Sequence, residues 1–215
     1  MIGILAYGSL IVSPGEELEA VVMQVMDNIK TPFEVEYARS SSRRAGAPSL
    51  IIVPDGRGAA VKAKILVLER DFSLTEAKNM LYRREIDNVG DPGIMYPEGR
   101  QPGKNKILID ELHQFAGLDV VLYTRIGINL PIILDRTISV FRKANHLAEL
   151  AVDSLTLDTY RAGRDGIQYL LENMDSGIIT PLTESYCQHV LLKTNSAKDL
   201  SAARTYLAKQ QGLYM

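Results

Sequence analysis

Residues 2–10 read Ile2-Gly3-Ile4-Leu5-Ala6-Tyr7-Gly8-Ser9-Leu10. The run from Ile2 to Tyr7 is short and almost wholly apolar, and it stops at Gly8-Ser9, so it predicts a buried strand entering a tight turn. A turn at Tyr7-Gly8-Ser9-Leu10 presents several backbone N–H groups around a sharp bend. Such amides suit a carboxylate or a developing oxyanion, and glycine lets a ligand approach the backbone closely. Taken alone, these four residues fit an ordinary strand-ending turn better.

Working outward, Ser13-Pro14-Gly15-Glu16-Glu17-Leu18 has the composition of a helix start, with proline in the first turn and acids beside the N-terminal dipole. Leu18, Val21, Val22, Val25 and Met26 then recur at helical spacing, which predicts a helix through Met26. Phe33 to Tyr37 alternates apolar and acidic residues, the pattern of a half-exposed strand. Ser49 to Pro54 and Ala60 to Glu69 predict two more strands, and the Asp55-Gly56-Arg57-Gly58 between them reads as a hairpin turn. Ser73 with Glu76 forms a capping-box pattern opening a helix that delivers Arg83, Arg84 and Glu85 at its end.

Residues 88–106 hold three prolines and four glycines, which predicts a flexible loop able to wall or cover a site. Lys106 to Ile109 and Val120 to Arg125 are further strand candidates, and helices are expected over 138–150, 162–175 and 196–211. The expected organisation is α+β: a single domain over residues 1–215, β-rich to about 130 and helical from about 131.

Composition narrows the function. Charged residues make up 23% with a formal net charge of -2, which argues against a nucleic-acid binder or a polybasic membrane-surface protein. Cys187 is the single cysteine, so no internal disulfide is possible, and its helical, Leu-rich surroundings make it a weak nucleophile candidate. His113, His146 and His189 stand apart without metal-ligand spacing. The N-terminus shows no basic segment followed by a long apolar run, and no stretch approaches the ~20 apolar residues of a membrane span. The expectation is a cytoplasmic protein.

Three segments carry chemistry. One is the Tyr7–Leu10 turn. A second is Tyr82-Arg83-Arg84-Glu85-Ile86-Asp87, where a helix gives way to a glycine-rich loop and a carboxylate can be aimed into a cavity; a solvated charge run is its ordinary equivalent. The third, Arg39 to Gly46, sets hydroxyls and guanidinium groups just after a strand and suits an anionic ligand, or else a solvated loop.

The order of these segments resembles the γ-glutamylcyclotransferase superfamily, closest to its ChaC-like, glutathione-acting branch. The likeness runs from Tyr7-Gly8-Ser9-Leu10 and Ser13-Pro14-Gly15, through FEVEYARSSSRRAGAPSLIIVP (33–54), to Tyr82-Arg83-Arg84-Glu85 and the DGIQYLLENMDSGIITP stretch (165–181). The chain departs from the ChaC-like pattern in having no Gly-Gly-Tyr after Glu85, one extra arginine before it, and Ser42-Arg43-Arg44-Ala45-Gly46 in place of a His-Arg-Gly segment. The resemblance implies a mixed β-barrel with surrounding helices and conversion of a γ-glutamyl amide or peptide, glutathione among them, to 5-oxoproline. It implies Glu85 as general acid/base, and Tyr7, Gly8, Ser9, Leu10, Ser41 and Arg43 around the substrate. Tyr96 and Tyr123 are further hydroxyl candidates. No metal or organic cofactor is expected, and the expected partner is a small γ-glutamyl substrate. The alternatives are a γ-glutamylamine-cleaving acyltransferase and a silent small-acid-binding or protein-interaction module.

Overall fold

A computed structural model describes residues 1–99, 101–195 and 197–213. In chain order the elements begin β1 (Ile2–Ala6), α1 (Ser9–Val12), α2 (Glu16–Glu19), β2 (Val22–Lys30), β3 (Val35–Ser41), β4 (Ala47–Ile52), β5 (Lys62–Leu68) and α3 (Leu74–Glu85). They continue with β6 (Leu108–Phe115), β7 (Leu118–Arg125), α4 (Pro131–Leu134), α5 (Val140–Asp153), α6 (Leu157–Arg161), α7 (Gly166–Asp175), α8 (Thr183–Lys193) and α9 (Leu200–Gln210). The fold is mixed α+β and divides into two compact units. One comprises residues 1–32 and 62–127, the other 33–61 and 128–215. The β3–β4 pair therefore belongs with the C-terminal helices.

The first unit is built on a five-stranded sheet in the order β2-β5-β1-β7-β6. β1 pairs antiparallel with β5 on one side and parallel with β7 on the other. Ile4, Leu5 and Ala6 are all buried, which is why β1 reads as an unbroken apolar run rather than an alternating one. A Cβ on Gly3 would come within 2.6 Å of Ile65 Cγ2 and 2.7 Å of Leu118 Cδ1, so this position has room only for glycine. One core joins Ile4, Ala6, Leu66, Leu68 and Leu122 of the sheet to Ala77, Met80 and Leu81 of α3. α3 starts as expected: the Ser73 hydroxyl accepts from Glu76 N–H while the Glu76 carboxylate accepts from Ser73 N–H. The sheet is open among the described residues, with β2 and β6 at its edges and no closure into a barrel.

Several expectations are corrected here. The helix expected through Met26 ends at Glu19, and residues 22–30 form β2. Two bulges against β5, between Val22 and Gln24 and between Met26 and Ile29, insert extra residues. The half-buried Val22, Met26 and Ile29 thus recur at intervals of four and three, which imitates helical spacing. The hairpin expected across Asp55–Gly58 does not form either, because β4 pairs with β3 while β5 pairs with β1 and β2. The Glu34 carboxylate instead accepts from Arg57 N–H and Gly58 N–H, both at 2.9 Å, and a bridge between Val35 and Ala59 carries the chain away from β4.

The remaining corrections concern the second unit. The segment Phe33 to Tyr37, expected to be half-exposed, enters β3, where Val35, Glu36, Tyr37 and Ala38 are all buried. Tyr37 meets Tyr186 and Tyr169 edge-on, at ring separations of 5.2 and 6.4 Å. Asp165, fully buried at the start of α7, caps Gln168 N–H and pairs with Arg204 of α9 at 2.8 Å. The expected helix from 162 is shorter, beginning at Gly166, and the helix expected from Ser196 begins at Leu200, Ser196 itself lying outside the described residues. α8 holds Cys187, whose surroundings were expected to be helical, though no bounds were expected for this helix.

Glu36 is 1% exposed, yet its neighbours supply neutral donors rather than a contacting cation. Oε1 accepts from Thr180 Oγ1 at 2.7 Å and Tyr37 N at 2.9 Å, and Oε2 accepts from Leu182 N at 3.3 Å. Burial dominates these donors and the more distant Lys143, pushing the carboxyl up to about 7 from its ordinary 4.5. The folded state thus holds the proton more tightly than the unfolded chain. The associated stability is complete below about 4.5 and is lost as pH rises through about 7. The shift corresponds to about 3 kcal/mol. Urea denaturation at pH 5 and pH 8 should show a loss in the wild type that Glu36→Gln largely abolishes; equal losses in both proteins would remove Glu36 as the cause.

Candidate functional site

The turn after β1 needs glycine. Gly8 adopts φ 60 and ψ -137, a combination that side chains do not tolerate, and it redirects the chain from β1 into α1. Ile11 N–H bonds to Gly8 O at 3.2 Å and Ser13 N–H to Ser9 O at 2.9 Å. The N–H groups of Ser9 and Leu10 precede that ladder, as the first amides of a helix do. Leu10 points its side chain into the core at 5% exposure, so only its backbone is available to a ligand. Tyr7 is half-buried rather than enclosed, and its hydroxyl donates to Thr124 O at 3.3 Å.

The other half of the site is the C-terminal end of α3. Arg84 reaches back to the turn: Nη2 donates to Ser9 Oγ at 3.2 Å and to Ser13 O at 2.7 Å, and Nε donates to Ser13 O at 3.1 Å. Its Nη1 donates to Glu85 Oε1 at 2.7 Å. One guanidinium therefore touches both Ser9 and Glu85, 75 residues apart from its hydroxyl partner in sequence. Glu85 retains 21% exposure, so its carboxylate is neither enclosed nor directed fully into solvent.

Arg83, one residue earlier, is used differently. Its Nε and Nη2 grip the Glu17 carboxylate at 2.7–3.0 Å, and Nη1 donates to Ile94 O at 3.1 Å. The guanidinium beside Glu17 holds that carboxyl below its usual range, with the Gly90 N–H adding to the effect and burial opposing it.

Residues 94–98 of the expected loop lie along α3. Arg83 holds Ile94, Asn79 Oδ1 accepts from Tyr96 N–H at 2.7 Å, and Lys78 pairs with Glu98 at 3.2 Å. The Tyr96 ring meets Tyr82 edge-on at 5.5 Å, and its hydroxyl accepts from Ile109 N–H at 3.1 Å. Tyr96 is thus a strut between α3 and β6. Tyr123 is half-buried on β7, its hydroxyl pushed up first by burial and then by Asp110, which pairs with Arg125 at 2.5 Å.

Ser41 and Arg43 belong to the second unit, so the grouping of turn and carboxylate is made by first-unit residues alone. Ser41 closes β3 and accepts from Gly46 N–H at 2.8 Å, and Arg43 is exposed. Its neighbour Arg44 lies 4.5 Å over the Tyr169 ring. Cys187 is half-buried, and burial followed by Glu184 pushes its thiol up, away from thiolate chemistry. Among the described residues there is no group of three or more His, Cys, Asp or Glu placed to hold a metal, and no helix is long and apolar enough to cross a membrane.

The residue that unites the site, Arg84, was not among the expected site residues. Its signal was the extra arginine in Tyr82-Arg83-Arg84-Glu85. The two arginines should separate in a stability measurement. Arg83→Gln leaves Glu17 without its bidentate partner and should cost about 2 kcal/mol. Arg84→Gln should cost about 1 kcal/mol or less, since Arg84 gives Glu85 a single N–H bond where Arg83 grips Glu17 with several. Equal losses in chemical denaturation would show that both are structural. A scan against protein-family models finds no match for the chain, and a search of the curated proteins finds none either.

Proposed function

We propose that the chain is a γ-glutamylcyclotransferase-like enzyme, releasing 5-oxoproline and an amine or peptide from a γ-glutamyl compound. The observation that supports this most is the shared guanidinium, with Ser9 Oγ at 3.2 Å and Glu85 Oε1 at 2.7 Å from Arg84 nitrogens. It sets the two segments that carry the resemblance around one side chain.

The chemistry asks little of the protein. The substrate's α-amine attacks its own γ-carbonyl, a C–N bond forms to close a five-membered ring, and the original γ-amide C–N bond breaks. Because the nucleophile and carbonyl share one molecule, holding the reactive conformer supplies much of the rate. The α-ammonium, with pKa near ~8, first gives a proton to the Glu85 carboxylate, and Glu85 returns it to the departing nitrogen. The amides at Ser9 and Leu10 serve the substrate carboxylate or the oxyanion on the γ-carbon.

Ser41 and Arg43 enter this proposal through the resemblance alone. So does the finer fold, a mixed β-barrel of the γ-glutamylcyclotransferase type, which shares with the observed open sheet a strand–turn start and a helix delivering a glutamate. A cytoplasmic setting is part of the same proposal, resting on the lone Cys187.

The test is 5-oxoproline release from a panel of γ-glutamyl peptides and amines, by wild type and Glu85→Gln. Wild type should form 5-oxoproline, and the variant should fold normally and lose at least about 100-fold in kcat. Retained activity removes Glu85 from proton transfer. Amine release without 5-oxoproline replaces ring closure with attack by water or another acceptor.

A further inference from the structure

Arg84 is held in a way that leaves one edge of its guanidinium for a ligand. Nε and Nη2 are anchored by neutral oxygens, Ser13 O and Ser9 Oγ, whereas Nη1 faces the carboxylate of Glu85. Neutral anchors fix the position of the group without satisfying its charge. Arg83 shows the contrast, because Glu17 already clasps its fork in the bidentate geometry that carboxylates favour.

The Arg84–Glu85 pair is also of an exchangeable kind. Successive residues on a helix do not face each other. These two meet in the last turn of α3, which ends at Glu85 just before Asp87 turns the chain with φ 61. Both side chains keep some exposure, 14% for Arg84 and 21% for Glu85, so neither is sealed from solvent. Glu85 is joined to Arg84 by one N–H bond from Nη1, which carries two N–H groups, so a ligand carboxylate can compete for that nitrogen while Nε and Nη2 keep their anchors.

We propose that Arg84 is the carboxylate-recognising residue of the candidate site, trading Glu85 for the carboxylate of a small ligand while Ser9 and Ser13 hold it in place. The site then selects molecules with a free carboxylate, and the ligand's arrival releases Glu85 for proton transfer. The assignment rests on the cyclotransferase reading for which site the ligand enters.

The trade has a signature that simple loss of an arginine lacks. Removing the charge of Glu85 removes the competitor, so Glu85→Gln should bind a carboxylate more tightly even as it loses ring closure. The measurement is calorimetric titration of the full chain with 5-oxoproline, 5-oxoprolinamide and glutarate, none of which carries an amine for Glu85 to hold. Both carboxylates should bind, and the amide should bind at least about tenfold more weakly than 5-oxoproline. Arg84→Gln should weaken the carboxylates about tenfold, with Arg84→Lys between. Glu85→Gln should tighten them by about threefold, consistent with loss of a weak competing ion pair.

Carboxylate binding that ignores all three substitutions overturns the assignment and leaves the cyclotransferase reading standing. Failure of glutarate and 5-oxoproline to bind at any concentration also overturns it. If no γ-glutamyl compound yields 5-oxoproline but glutarate binds with the expected dependence on Arg84 and Glu85, the reaction falls and the carboxylate site stands.

Discussion

β1 is hydrogen-bonded along both edges, to β5 on one side and β7 on the other, and Gly3 leaves no space between its neighbours for even a methyl group. A strand clamped in this way ends at a fixed point. The turn at Gly8 starts from that point, and the Tyr7 hydroxyl on Thr124 O ties it to the end of β7 as well. α3 is fixed independently, by its capping box and by the packing of Ala77, Met80 and Leu81 against the sheet. The reach of Arg84 from α3 to Ser9 and Ser13 is therefore a span between two firmly held ends. The candidate site depends on that span more than on any single contact within it.

Buried charge is met in different ways along the chain, and physical chemistry explains the outcomes. Where a cation meets a carboxylate, as at Arg83–Glu17 and Arg204–Asp165, charge is matched at contact distance. Glu36 has hydroxyl and amide donors instead, which stabilise the carboxylate less than burial destabilises it, and its proton affinity rises. Arg84 lies between these cases, with neutral anchors and a single N–H bond to one carboxylate. That intermediate condition fits a group that must change partners.

Features settled by local chemistry were legible in the sequence. β1 showed in its apolar run, α3 in Ser73 and Glu76, and the C-terminal helices in their spacing, because each signal lies within a few residues of its cause. What was misread depends on partners elsewhere. The bulges of β2 exist only against β5, and they gave its apolar residues a helical rhythm. Glu36 looked like an outward residue of an alternating strand, since Thr180 and Leu182 lie far along the chain. The Asp55-Gly56 turn joins strands of different sheets because Glu34 captures its amides. The start of α8 was not legible because Leu182 at its N-cap makes no side-chain capping bond. The turn and Glu85 were each legible as segments, but their union through Arg84 was not, because it spans 75 residues.

The irregularity of β2 has a consequence beyond the reading of its sequence. β2 is an edge of the sheet, and it carries exposed Met23 and Val25. A long, flat, apolar edge would offer its unpaired amides and carbonyls as a template for another chain. Two bulges, the left-handed Asn28 at φ 59, and the charges of Asp27 and Lys30 interrupt that ladder. The edge is consequently a poor seed for cross-β stacking, so its defects in local regularity protect the chain when it is crowded among its own copies.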